Sequence, residues 1–480
     1  GHAYRQAGRA PRGARHFLGR EPVGSRHSLA GGDRAGSVAS EDRAGSVGRA
    51  APLTIAVGYD TRFLSDRFAR AVCEVLAANG IRSVLSDRAI PTCAVSRYVV
   101  ARHCQAGLVI TASHNPAIYN GIKVKEAFGG SADTQTVASI ERRIDGHPLK
   151  RLPFEQAVEQ RLIRTAEFLP LFLKGIRDCV DLKTIRHSRL RAVVDAMHGT
   201  AGLLIEQLLA GGRCRIDTIH GDADPRFGGH APEPIALHLQ ELARTVRRRR
   251  AQVGLANDGD ADRLGVLASS GAFINPGQVL CILLEHLISS RKWQGTVVKT
   301  VSNTSMINRM AQELGLKVVE VPVGFKHIAK LMLEGEVLIG GEESGGIGVR
   351  GYLPERDGIL MALLVMEAMA AQGRGVLEIL KRLERRYGHW SYTRRDLAVP
   401  HERVNRVFER LTTNPPSRIA GVPVRERNTL DGVKLIDRKD NWLLFRRSGT
   451  EPIVRVYAES LATAHANRLL EFGVQLVNAS

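Results

Sequence analysis

The sequence predicts an α/β protein of several domains closed by a smaller α+β domain, and three observations carry that expectation. The chain has 480 residues, whereas single hydrophobic cores stop growing at about 250 to 300 residues, so it must divide. From Leu53 onward, short apolar runs alternate with segments of helical spacing, the pattern of parallel βα units. Polar loops recur directly after the apolar runs, where open α/β sheets bind their ligands.

Taken in order, residues 1–50 are rich in Gly, Arg, Ser and Ala and carry the hexapeptide Asp33-Arg-Ala-Gly-Ser-Val twice, the second copy starting at Asp42. Such a segment has too little apolar surface to offset its ordering entropy and is expected to be disordered. Glu21, Asp33, Glu41 and Asp42, with no amphipathic face, argue against a transit peptide. Leu53 to Val57 reads as a strand, Phe68 to Ala78 as a helix closed by Gly80, and Ala106 to Ile110 as a strand ending in a polar loop. The scheme returns at Leu190 to Val194, Gln252 to Ala256 and Val337 to Ile339. Asn441 to Phe445 and Ile453 to Tyr457 read as two strands around a polar loop, with a helix from Ala462. The expected units are residues 51–163, 164–268, 269–386 and 387–480.

Composition narrows the function. An apolar share of 44% and a charged share of 24% are those of a globular chain. No run approaches the roughly 18 apolar residues of a membrane span, and the N-terminus lacks the apolar centre of a secretory signal. A soluble, cytoplasmic protein with no membrane partner is expected. Cys73, Cys93, Cys104, Cys179, Cys214 and Cys281 show no CxxC spacing and fit reduced, buried thiols. The formal charge of +19 is arginine-heavy and dispersed. Its one dense run, Arg247 to Arg250, lies in a helical pattern without interleaved aromatics, so no nucleic-acid partner is expected.

Four loops carry chemistry. In Thr111-Ala-Ser-His-Asn-Pro116, followed by Asn120-Gly-Ile-Lys123, a serine alone would more often be a turn former. Here His114, Asn115 and Lys123 crowd polar and cationic groups around the Ser113 hydroxyl, as a covalent phosphoryl carrier requires. The Gly-x-Ser-x-Gly elbow of acyl transfer is absent. In Asn257-Asp-Gly-Asp-Ala-Asp-Arg263, Asp258, Asp260 and Asp262 alternate after a strand, and a divalent cation would neutralise them. A calcium loop would need glycine and glutamate where Arg263 and Ser269 stand; hard oxygen ligands beside phosphate favour Mg²⁺. Gly340-Gly-Glu-Glu-Ser-Gly-Gly346 offers carboxylates to sugar hydroxyls, and Arg446-Arg-Ser-Gly-Thr-Glu-Pro452 with Arg455 suits a phosphate dianion. Together the loops describe a phosphosugar site spread over four domains.

In order and approximate spacing these loops resemble the four signature loops of the α-D-phosphohexomutase family, over residues 53–480. Gly58-Tyr-Asp-Thr-Arg62, Asp195-Ala-Met-His-Gly199 and Val323-Gly-Phe-Lys326 are lesser matches. The resemblance implies three similar mixed α/β domains plus a smaller C-terminal α+β domain around a central cleft. Ser113 would rest as phosphoserine and complete a metal shell of Asp258, Asp260 and Asp262. His114, Lys123 and Arg263 would stabilise transferring charge and handle protons. Lys326, Glu342 and Ser344 would contact substrate, while Arg446, Ser448, Gly449, Thr450 and Arg455 would hold the non-reacting phosphate. The expected reaction interconverts hexose 1-phosphate and hexose 6-phosphate through a hexose 1,6-bisphosphate. The Glu-Glu-Ser loop and Pro354-Glu-Arg-Asp357 look more like glucose-phosphate mutases than mannose- or glucosamine-active relatives.

One departure stands out. Members of that family usually open with a Gly-Thr-Ser-Gly-x-Arg-Gly type motif whose arginine reaches the site, and none precedes Leu53. A truncated or frame-shifted N-terminus is expected in its place, so an impaired sugar-phosphate binder is the competing function, and a phosphatase a third.

Overall fold

The computed structural model describes residues 53–448 and 452–479. The expectation of disorder over residues 1–50 lies outside the described residues, as do Gly449 and Thr450. The first sheet comprises β1 (Thr54–Tyr59), β2 (Arg82–Ser86), β3 (Ala106–Ile110), β4 (Ile122–Glu126) and β5 (Ile163–Ala166), in the order β4-β3-β1-β2-β5. The central strand β1 lies parallel between β2 and β3, its middle residues buried, which is why it reads as a continuous apolar run. The helix Ser65–Ala78 begins ahead of its apolar stripe, where the Asp60 carboxylate accepts the Ser65 hydroxyl.

The second sheet holds β6 (Arg191–Asp195), β7 (Arg215–Ile219), β8 (Val253–Asn257), β9 (Leu264–Ala268) and β10 (Phe273–Ile274), in the order β10-β9-β8-β6-β7. The third holds β11 (Thr296–Thr300), β12 (Val318–Val321), β13 (Val337–Gly341) and β14 (Ile347–Val349), in the order β12-β11-β13-β14. β5 pairs with β2, so the first sheet runs to Ala166, and β10 pairs with β9, so the second runs to Ile274.

These three sheets share a plan that purely parallel βα units do not contain. In each, a parallel strand ends in a polar loop and the chain returns antiparallel, from β3 to β4, from β8 to β9, and from β13 to β14. The Ser113, aspartate and Glu342 loops are these three returns. The fourth sheet, of β15 (Ser391–Ala398), β16 (Arg418–Ile419), β17 (Val422–Asn428), β18 (Val433–Asp437), β19 (Trp442–Arg447) and β20 (Ile453–Ser460), is antiparallel throughout. The helix Thr463–Asn478 follows it, as the sequence predicts.

One apolar core runs through the first three sheets, and the fourth has its own, built around Val407, Leu443, Phe445 and Leu469. The helix Gly358–Gln372 is buried from Gly358 to Met369, and its first turn is capped by Asp357, which accepts from Leu360 N. A side chain at 358 would collide with the Arg263 carbonyl, so glycine lets this helix abut the aspartate loop. Among the described residues no single helix is long and apolar enough to cross a membrane. All six cysteines are free, and five are buried.

Polar contacts lock the sheets together. Lys125 of β4 and Glu355, each about 1% exposed, form a buried ion pair, and Ser131 Oγ donates to the same carboxylate at 2.9 Å. Between the third and fourth sheets, Val301 packs with Trp442, Leu444 and Tyr457, and Lys434 Nζ donates to the Val301 carbonyl at 2.7 Å.

Two outcomes follow from these buried charges. Lys125→Met strands the Glu355 carboxylate and should cost about 3–5 kcal/mol in denaturant unfolding, whereas Lys125→Met with Glu355→Leu should recover most of it. Burial and the neighbouring Lys299 push the Lys434 ammonium down to about 8 from its ordinary 10.5. The folded chain therefore binds fewer protons than the unfolded chain between those values, so stability rises with pH across that window. Thermal melts of Lys434→Met should show that rise flattened relative to the parent.

Candidate functional site

Ser113 follows β3 in a left-handed backbone conformation, φ 54°, that ordinary side chains rarely adopt. Its own amide donates to Thr111 Oγ1 at 2.8 Å. The surrounding carbonyls are gathered by one side chain. Arg62 donates to the carbonyls of Ser113 (2.7 Å), Asn115 (2.7 Å), Pro116 (2.9 Å) and Tyr119 (2.9 Å), while its Nε faces Asp60 at 3.1 Å. A buried guanidinium paired with Asp60 thus holds the whole loop. In the sequence Arg62 stands inside a lesser motif, and an arginine two residues after a strand-end aspartate is the signal that marks it.

The hydroxyl of Ser113 donates to Asp258 Oδ2 at 3.0 Å. Asp258, Asp260 and Asp262 are each at most 1% exposed and offer ligand atoms within 4.8 Å of one another. Oδ1 of Asp260 and Oδ1 of Asp262 are buried without a hydrogen-bond partner, as oxygens awaiting a hard cation would be. The residues present therefore fit a divalent metal such as Mg²⁺. The aspartate loop reaches Ser113 because Gly259 has no side chain: a Cβ there would lie 2.8 Å from the Ser113 carbonyl.

Three cations face the triad. Lys123 Nζ lies 2.6 Å from Asp260 and 2.8 Å from Asp262, Arg263 Nε lies 3.9 Å from Asp258, and Arg356 Nε lies 3.0 Å from Asp262. Burial and the two neighbouring aspartates push the Asp258 carboxyl well above its usual range. For Asp262 burial acts the same way but Arg356, Lys123 and Arg263 outweigh it, and its carboxyl is held well below that range. Burial and the charge of Arg263 lower His114 to about 3, so its imidazole is neutral at ordinary pH. His114 thus differs from the two cations with which it was grouped. It offers a lone pair rather than a charge.

The glycine-rich loop closes on this cluster from the third sheet. Glu342 is buried and accepts from Arg356 Nη1 at 2.9 Å, Glu343 accepts from Thr300 Oγ1 at 3.0 Å, and Ser344 beside them is half-buried. The Gly345 carbonyl accepts from Leu264 N at 3.2 Å, which fixes this loop to the strand leaving the aspartates. Burial raises the Glu342 carboxyl, with Arg356 opposing. Lys326 reaches from the third-sheet side to Thr134 Oγ1 of the first at 2.6 Å.

Of the residues expected to hold the non-reacting phosphate, Arg446, Ser448 and Arg455 are described and lie on the fourth sheet or directly after its strand β19. Arg446 and Arg455 are cross-strand partners on β19 and β20 and so share a face. Arg446 donates from Nε to Asp431 Oδ2 at 2.8 Å, Arg455 faces Asp396 at 3.5 Å, and Ser448 N closes the hairpin on the Ile453 carbonyl. Asp431 also accepts from Val323 N at 2.8 Å, so one carboxylate ties Arg446 to the turn that leads into the helix Phe325–Glu334, which carries Lys326.

Comparison with known proteins agrees with this arrangement. Four descriptions of phosphoglucomutase/phosphomannomutase match in succession: alpha/beta/alpha domain I at residues 34–150, domain II at 170–271, domain III at 275–387, and the C-terminal domain at 404–474. A phosphoglucomutase/phosphomannomutase of Thermococcus kodakarensis is 29% identical over 90% of this chain and 91% of its own length. A phosphoglucosamine/phosphogalactosamine mutase of Sulfurisphaera tokodaii is 31% identical over 87% of this chain and 89% of its own. A crystal structure of a Thermus thermophilus protein assigned as a phosphomannomutase superposes with a TM-score of 0.77 at 33% identity, covering 89% of this chain and 91% of that one. With its four site loops in this order on four successive domains, the chain belongs to the phosphoglucomutase/phosphomannomutase family, the α-D-phosphohexomutases, which are isomerases acting by intramolecular phosphoryl transfer.

Proposed function

We propose that the chain interconverts hexose 1-phosphate and hexose 6-phosphate, with glucose the favoured sugar, through a phosphate carried on Ser113. The observation that carries this reading is the 3.0 Å hydrogen bond from Ser113 Oγ into the aspartate triad, with Lys123, Arg263 and Arg356 set around it. Water-exclusion and charge balance at that point suit phosphoryl transfer, in which positioning and neutralisation of oxygen charge do most of the work. Domain divisions that fit this reading fall after Ala166, Ile274 and Tyr387.

In the forward half-reaction the phosphorus–Oγ bond of phosphorylated Ser113 breaks as a bond to the sugar hydroxyl oxygen forms. Lys123 and Arg263 face the transferring oxygens; neutral His114 takes up the hydroxyl proton, its basicity raised by the nearby phosphate dianion, while Lys123 protonates the departing Ser113 Oγ and is restored by the proton held on His114. Glu342 and Ser344 grip sugar hydroxyls, and Lys326 contacts the substrate beside them. Arg446, Ser448, Gly449, Thr450 and Arg455 hold the other phosphate. The bisphosphorylated sugar then turns, and its second phosphate returns to Ser113. Mg²⁺ bound to Asp258, Asp260, Asp262 and a phosphoserine oxygen would supply further neutralisation of the transferring group.

The sugar assignment rests on Glu342-Glu343-Ser344 together with Pro354 to Asp357, because the relatives named above act on several hexoses between them. A coupled assay with glucose 1-phosphate, Mg²⁺ and a trace of the bisphosphate should show turnover, and a chelator should abolish it. Ser113→Ala should lower kcat by at least about a thousandfold, and mass spectrometry should find the parent phosphorylated on Ser113. Full activity in that variant refutes the covalent route. Turnover should fall from glucose to mannose to glucosamine phosphates, and a preference for glucosamine phosphate overturns the sugar assignment.

A further inference from the structure

The segment from Leu353 to Gly358 touches all three α/β domains. Glu355 pairs with Lys125 in domain I, the Arg356 carbonyl accepts from Cys93 Sγ at 2.8 Å in the same domain, and Gly358 N donates to the Ala261 carbonyl of domain II at 3.0 Å. Between these anchors the Arg356 side chain is 18% exposed. Its Nε sits 3.0 Å from Asp262 Oδ2 and its Nη1 donates to Glu342 Oε2 at 2.9 Å. One guanidinium is therefore divided between a carboxylate of the metal triad and the carboxylate of the glycine-rich loop.

We propose that Arg356 is a positioning residue that sets metal affinity against sugar grip: it orients Glu342 for the sugar hydroxyls while its charge weakens the hold of Asp262 on a cation. The inference rests on the mutase reading, in which Glu342 meets the sugar and the triad binds Mg²⁺. Three physical points support it. The planar fork of arginine can span two carboxylates, whereas an ammonium on a flexible stem is a single point. Asp262 Oδ2 already faces Lys123 at 2.8 Å, so Arg356 is a second cation on that one carboxylate. With its Oδ1 unpartnered, Asp262 keeps one oxygen for a metal that Arg356 repels through space. An arginine that merely braced the fold would have no reason to act on metal and sugar in opposite directions.

The test pairs metal titration with kinetics. Mg²⁺ and Mn²⁺ binding is followed by calorimetry on substrate-free protein, and KM and kcat are measured on hexose phosphate at saturating metal. In Arg356→Gln, metal affinity should rise by about tenfold from the lost repulsion, while KM rises by at least about tenfold and kcat falls less. Arg356→Lys should keep metal affinity near that of the parent yet still raise KM, because lysine cannot reach both carboxylates. Should Arg356→Gln fail to fold, Glu342→Gln decides: it frees Arg356 onto Asp262, so metal affinity should drop. Parallel weakening of metal and sugar in Arg356→Gln, no change in either, or unchanged metal affinity in Glu342→Gln overturns the proposal. A parent that binds metal but turns over no hexose phosphate would instead refute the mutase reading, and the metal titrations would still decide the coupling at Arg356.

Discussion

Asp258, Asp260 and Asp262 sit buried within a single tight turn, and such a concentration of negative charge is tolerable only against fixed positive charge. Lys123, Arg263 and Arg356 supply it, and each comes from a different domain: the first from β4, the second from the aspartate loop itself, the third from the strap that follows β14. Neutralising the turn therefore requires the first three domains to be assembled. The continuous apolar core beneath them supplies the binding energy for that assembly, and the charges set its register.

The same plan recurs in those domains. A parallel strand delivers a loop to the cleft, and an antiparallel return strand takes it away, so each loop is pinned at both ends by ladder hydrogen bonds rather than at one end by a helix. Pinning at both ends suits a site in which Ser113, the triad and Glu342 must keep a few ångströms of separation. Close backbone approach does the rest. Gly259 against the Ser113 carbonyl and Gly358 against the Arg263 carbonyl leave no room for a side chain.

The fourth domain stands in a different relation to the others. Its core is separate, and its contact with the third runs through an aromatic cluster, Lys434 and Asp431. Asp431 is the notable link, because it accepts from both Arg446 and the backbone of Val323.

The sequence by itself determined the class of fold, the four loops and the residue types at the site, because apolar periodicity and strand-end polar motifs are local properties. It placed β1, β3, β6, β8, β13, β19 and β20 within a residue or two at their starts. It did not anticipate that β4, β9 and β14 return antiparallel, since the direction in which a strand pairs is set by its tertiary neighbours and not by its own apolar pattern. The organising roles of Arg62 and Arg356 are tertiary, because the carbonyls that Arg62 gathers lie 51 to 57 residues away and Arg356 reaches Asp262 on another domain. The neutrality of His114 likewise depends on burial and on Arg263, which is distant in sequence and adjacent in space. Spacing along a chain reports what chemistry a loop can do; which charge faces which, and whether a histidine carries a proton, is decided only when folding removes water and brings separate domains together.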